Sequence, residues 1–144
     1  MLSVNAFAGI CGEKEGNMLY IGVDLGTSAV KLLLMNAEGK IESVVSKEYP
    51  LYFPHPGWSE QKPEDWWSAV LEGLKELTEN CDKSQIAGIS FGGQMHGMVA
   101  LDENDDVIRP AILWNDGRTQ KQTDYLNNVI VKETLSKNTA NIAF

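Results

Sequence analysis

The chain has 144 residues, 43% of them hydrophobic, and a formal net charge of −8, which is one domain's worth with enough apolar material for a core. An acidic chain without a basic run offers nucleic acid or an anionic membrane no electrostatic grip, and no window approaches the roughly eighteen apolar residues of a bilayer-spanning helix. Cys11 and Cys81 form neither a C-x-x-C pair nor a secreted framework, so they read as unpaired thiols of a reducing cytosol and the chain as cytoplasmic.

In chain order, residues 1–17 (MLSVNAFAGICGEKEGN) look faintly like a signal segment, but they lack a basic n-region, and Asn5 and Gly9 interrupt the apolar part. Met18 stands just before the first apolar run and makes a natural start, so residues 1–17 are expected to be a disordered or misassigned extension. Residues 19–24, 29–36 and 41–49 read as three strands of a meander, with Gly39 in the second connection. The third strand alternates loosely, as an edge strand does. A loop rich in proline and aromatics follows, from Tyr49 to Trp58.

Pro63 then suits a first helical turn, and Glu64 and Asp65 set negative charge at the positive end of the dipole. Trp66, Val70, Leu74 and Leu77 recur at helical spacing, and Asn80 is a plausible stop. Ile86 to Phe91 reads as a buried strand ending in Gly92-Gly93. Met98 to Leu101 reads as another strand, 102–106 as a turn, Ala111 to Trp114 as a short strand, and a second helix is expected from near Asp116 past Leu126. The order β-β-β-α-β-β-β-α predicts three antiparallel strands, a crossover helix and a further strand in one mixed α/β sheet.

The stretch Gly22 to Lys31, GVDLGTSAVK, carries the chemistry. Asp24 ends one apolar run, and Gly26 removes a side chain at the bend, so backbone N–H groups can approach an anion. Thr27 and Ser28 add hydroxyls. A carboxylate beside bare amides suits a hydrated magnesium ion bridged to a phosphate, since that metal keeps waters and needs few protein oxygens. The same residues are also ordinary turn formers, and the pattern alone serves either reading. No G-x-x-x-x-G-K-[ST] is present, and Gly22 and Gly26 do not make G-x-G-x-x-G. Any phosphate site here lies at a hairpin, not at a helix N-terminus.

Four blocks taken together resemble xylulokinases of the FGGY carbohydrate kinase family: YIGVDLGTSAVK, HPGWSEQ (His55 to Gln61) with PEDWW, GQMHG (Gly93 to Gly97) and AILWNDGR (Ala111 to Arg118). The match runs from about Met18 to Phe144. It implies the ribonuclease-H-like fold of the actin, sugar kinase and chaperone superfamily, a mixed sheet with flanking helices. It also implies ATP and Mg2+ as cofactors, D-xylulose as the sugar partner, and transfer of phosphate to give D-xylulose 5-phosphate. By the resemblance Asp24 is a catalytic and metal-holding residue, Gly26, Thr27, Ser28 and Lys31 face the phosphates or nucleotide, and Gln94, Met95 and His96 bind the sugar.

Lys31 reads equally as a polar strand residue. Asp116 and Arg118 read as lying behind the sugar-contacting residues or, nearly as well, as a helix cap and a surface ion pair; His55 reads as structural, and Trp58, Trp66 and Trp67 as packing. Family members are roughly three times this length, with two related domains around a cleft. Residues 18–144 are therefore expected to be an incomplete, N-terminal part of the first domain. By the resemblance that part is expected to lack the general-base aspartate and the nucleotide domain and to be inactive by itself. The resemblance allows a homodimer of the full-length enzyme. The alternatives are a kinase of another sugar or polyol in the family, a non-catalytic sugar-binding module, or a structural ATPase-like domain.

Overall fold

The structure, a computed structural model, describes residues 18–130 and 132–143. The expectation for residues 1–17 therefore lies outside the described residues, as does Cys11; Cys81 is a free thiol. Strands β1 (Leu19–Leu25), β2 (Ala29–Asn36) and β3 (Ile41–Glu48) form the expected meander. A two-residue strand β4 (Glu60–Gln61) interrupts the aromatic loop before helix α1 (Pro63–Leu77). Strand β5 (Ile86–Gly93), the short β6 (Ala111–Ile112), and helices α2 (Gln120–Asn128) and α3 (Lys132–Thr139) complete the order.

The main sheet runs β3-β2-β1-β5, with β1 antiparallel to β2 and parallel to β5. The loosely alternating third strand is indeed an edge. The crossover through α1 is what allows β5 to lie parallel to β1, since parallel neighbours need a long connection.

Alternation along β1 and β2 sends Leu19, Ile21 and Val23 with Val30, Leu32 and Leu34 to one face, where they bury against Ala69, Val70 and Leu77 of α1. Trp66 and Leu74 flank this core, partly buried. Helix and sheet pack closely at Gly73, where a Cβ would stand 2.4 Å from Leu32 Cδ1. A glycine in mid-helix costs propensity, and the close packing it permits is the compensation.

Four expectations need correction. Helix α1 stops at Leu77, with Thr78 as its C-cap, three residues short of Asn80; the Thr78 hydroxyl turns back to the Leu74 carbonyl at 2.8 Å. Among the described residues Met98 to Leu101 makes only isolated bridges, Met98 to Ile112 and Leu101 to Val107, and no continuous ladder. Helix α2 begins at Gln120, not near Asp116, whose carboxylate is occupied elsewhere. The β5 run is apolar as expected but not buried: Ile89 is 44% and Phe91 67% exposed. Helix α1 packs mainly on β2 and β3, so Ile89 and Phe91 of β5 are left at the rim of its cover.

Candidate functional site

The parallel pairing of β1 with β5 brings two chain segments far apart in sequence to one end of the sheet. Asp24 sits beside Gly92 and Leu25 beside Gly93 in the ladder. The chain beyond β5 is then tied to the end of β1 by the Gln94 N–H, which donates to the Leu25 carbonyl at 3.0 Å. The turn after Asp24 and the loop Gln94-Met95-His96 are thus neighbours through the backbone alone. Lys31 stands opposite Asp24 on β2. Asp24, Ser28, Lys31, Met95 and His96 are all exposed.

The turn itself is held internally. The Gly26 N–H donates to the Ala29 carbonyl at 3.1 Å, and a Cβ at Gly26 would lie 3.0 Å from that oxygen. Gly26 therefore contributes its missing side chain, while its own N–H closes the turn. The buried Tyr49 hydroxyl donates to the Gly26 carbonyl. Burial, with a smaller contribution from the charge of Asp24, pushes the Tyr49 phenol up to about 12.

Thr27 is equally engaged: its hydroxyl donates to Gln94 Oε1 at 3.1 Å and accepts from the Trp114 indole at 3.2 Å. Ser28 keeps the exposed hydroxyl of the pair. His96 adopts φ of 62°, a left-handed backbone conformation that a histidine rarely takes without a local reason.

Beneath this end of the sheet lies a residue that sequence reasoning missed. Gln61, fully buried on β4, donates through Nε2 to the Thr27 carbonyl at 2.7 Å and the Pro50 carbonyl at 3.3 Å. Its Oε1 accepts from the Trp66 indole at 3.0 Å and from Gln94 Nε2 at 3.3 Å. All four hydrogen-bonding positions of the amide are filled. Trp66 thus packs as expected. Trp67 does not: it is 63% exposed and, with Phe91 and Val99, lines an apolar groove of about 380 Å³.

A second cluster joins the aromatic loop to the segment after β6. The Asp116 carboxylate, almost wholly buried, accepts from the Ser59 N–H at 2.7 Å and from Arg118 Nη2 at 2.6 Å. Arg118 also reaches Glu60 at 2.7 Å and lies 3.8 Å over the Trp58 ring. Bonds from the Arg118 side chain, helped by the backbone N–H groups of Ser59 and Arg118, hold the Asp116 carboxyl at about 2 despite its burial. Asp116 and Arg118 are therefore neither a helix cap nor a surface pair. They clamp two loops, which the spacing D-x-R could not disclose because both partners of the clamp lie more than fifty residues earlier in the chain.

Asp24 offers one exposed carboxylate, and at Gly92 a Cβ would sit 3.8 Å from its Oδ1, so the neighbouring strand leaves that oxygen open. Among the described residues no group of three His, Cys, Asp or Glu side chains could cage a metal ion. This donor set fits a magnesium ion that keeps waters and takes further oxygens from phosphate. Also among the described residues, no helix is long and apolar enough to cross a membrane.

Comparison with known proteins agrees with this architecture. The chain is 53% identical to the xylulose kinase of Bacillus subtilis (strain 168) over 104 residues, 71% of this chain and 21% of that protein. It is 43% identical to the xylulose kinase of Escherichia coli (strain K12) over 108 residues, covering 75% and 22%. The solved structure of a "xyloylose kinase" from Brucella ovis superposes with a TM-score of 0.81 at 40% identity, over 88% of this chain and 26% of that one. The chain thus spans about a fifth to a quarter of the length of these relatives. Residues 19–144 match the N-terminal domain of the FGGY family of carbohydrate kinases, and the chain belongs to that family.

Proposed function

We propose that residues 18–144 form one wall of the active-site cleft of a cytoplasmic xylulokinase, which moves the γ-phosphoryl group of ATP to the 5-hydroxyl of D-xylulose. The observation that carries this reading is the junction of the Asp24–Ser28 turn with the Gln94–His96 loop, closed by the Gln94 N–H bond to Leu25 at 3.0 Å and the Thr27 hydroxyl bond to Gln94 at 3.1 Å. A kinase needs a phosphate site and an acceptor site within reach of one another. These two segments supply candidates for both, and xylulose kinases are among the relatives this chain is similar to.

Asp24 holds the metal–nucleotide assembly, with Gly26 leaving room at the turn. Ser28 and Lys31 offer an exposed hydroxyl and a cation to the phosphates, while Thr27 braces the turn. Bound magnesium would neutralise the phosphate charge that grows during transfer. Met95 packs against the carbon skeleton of the sugar, and His96 donates to or accepts from its hydroxyls. Gln94, whose amide is engaged with Thr27 and Gln61, fixes the loop that presents them. The base that takes the proton of the 5-hydroxyl is assigned to no residue among 18–144.

The test is a chimera in which residues 19–144 replace the matching quarter of the Bacillus subtilis xylulose kinase. D-xylulose-dependent release of ADP is expected, falling by about 10²–10³ in kcat for Asp24→Asn through loss of an electrostatic stabiliser. Release of ADP that ignores D-xylulose would overturn the sugar assignment. The 144-residue chain alone is expected to turn over neither ATP nor D-xylulose in a coupled ADP assay.

A further inference from the structure

We infer that Gln61 is a positioning residue that sets the phosphate turn and the sugar loop at a fixed distance, so that neither shifts without the other; its catalytic consequence rests on the kinase reading above. Three side chains from three separate segments close a ring. Gln61 Nε2 donates to the Thr27 carbonyl at 2.7 Å, the Thr27 hydroxyl donates to Gln94 Oε1 at 3.1 Å, and Gln94 Nε2 donates to Gln61 Oε1 at 3.3 Å. Every donor meets an acceptor around the ring. Gln61, the one ring member with no solvent exposure, cannot exchange its partners for water. A buried amide that loses a partner carries the desolvation penalty in full, so the arrangement behaves as a unit.

The ring is also anchored to the scaffold. Trp66 of α1 donates to the same Gln61 oxygen, and the Trp114 indole donates to the same Thr27 hydroxyl. A movement of Thr27 therefore strains Gln61 and Gln94 together, and Gln94 immediately precedes Met95 and His96. The ring distributes the rigidity of α1 and β4 to both sides of the junction.

The full 144-residue chain, labelled with 15N and without ligand, tests the linkage by NMR. Gln61→Leu removes all four bonds at nearly constant volume. The Trp114 indole and His96 amide signals, from segments on the two sides of the junction, are expected to move together. Gln61→Glu keeps the acceptor positions for Trp66 and Gln94 but loses both donors. It is expected to move the Thr27 and Trp114 signals more than that of His96, and it carries the test if the leucine variant does not fold. Shifts confined to Trp66 and its neighbours in either variant would overturn the inference.

Kinetics of the chimera separate positioning from mere support. Gln61→Glu is expected to lower kcat by as much as about a hundredfold, the scale of an ångström-sized misplacement, and to raise KM for both ATP and D-xylulose. A loss of folded protein would lower kcat and leave both KM values where they were, which would refute the positioning role. A wild-type chimera that folds but does not phosphorylate D-xylulose would refute the kinase reading, and the NMR experiment would still decide the linkage.

Discussion

Strands β2 and β5 belong to one sheet, have eight residues each and are both rich in apolar side chains, yet they meet opposite surroundings. On β2, Val30, Leu32 and Leu34 are at most 3% exposed beneath α1, whereas on β5 Ile89 and Phe91 are 44% and 67% exposed. The difference is one of coverage. A single helix spans about two strands of a sheet, and α1 lies over β2 and β3, leaving the β5 side of the same face as an open apolar groove beside Trp66 and Trp67. Apolar composition therefore marks where burial is possible; only the placement of the covering element marks where it occurs.

Truncating a buried side chain of β2 is the strongest way to break this contrast. Leu32→Ala is expected to cost about 2–5 kcal/mol, since it opens a cavity in a closed core, and the midpoint of chemical denaturation should fall accordingly.

The two-loop clamp away from the sheet comes next. Held at about 2 against the ordinary 3.8, the Asp116 carboxyl favours the folded state by about 2 kcal/mol, through its lowered protonation. Because the folded value is the lower one, this stability is complete above pH ~4 and is lost as pH falls through ~2. Asp116→Asn should flatten that acid limb in a series of denaturation curves, and an unchanged limb would argue against the clamp.

A smaller effect tests the turn beside Asp24. Tyr49→Phe removes one hydrogen bond to the Gly26 carbonyl and should cost about 1 kcal/mol. The phenol of Tyr49 is pushed up to about 12, so its contribution is present below pH ~10 and lost as pH rises through ~12. The variant should lose less stability across that alkaline window. Smallest of all on stability, Phe91→Ser should change the denaturation midpoint by no more than about 0.5 kcal/mol. Its visible consequence should be in self-association: an exposed apolar groove along a sheet edge favours it, and light scattering should show the serine variant to be less associated.

The sequence by itself determined the meander, the helix that opens at Pro63, a further strand of the same sheet ending at Gly92-Gly93, and the family. Each rests on local rules, namely period-two alternation, a 3.6-residue apolar stripe, turn residues and contiguous motifs, and these need no knowledge of distant neighbours. Asp24, Gly26 and the Met95-His96 pair stood out as candidates from contiguous motifs in the same way. Tertiary structure alone decided which amides and hydroxyls of the turn are already engaged, that β5 stays uncovered, and that Asp116 and Arg118 close a buried clamp. It alone decided that Gln61 lies at the centre of the junction. Nothing local distinguishes a buried glutamine from an exposed one: its role comes from partners supplied by the β1–β2 turn, the segment after β3, α1 and the loop after β5, which only the folded chain brings within hydrogen-bonding distance.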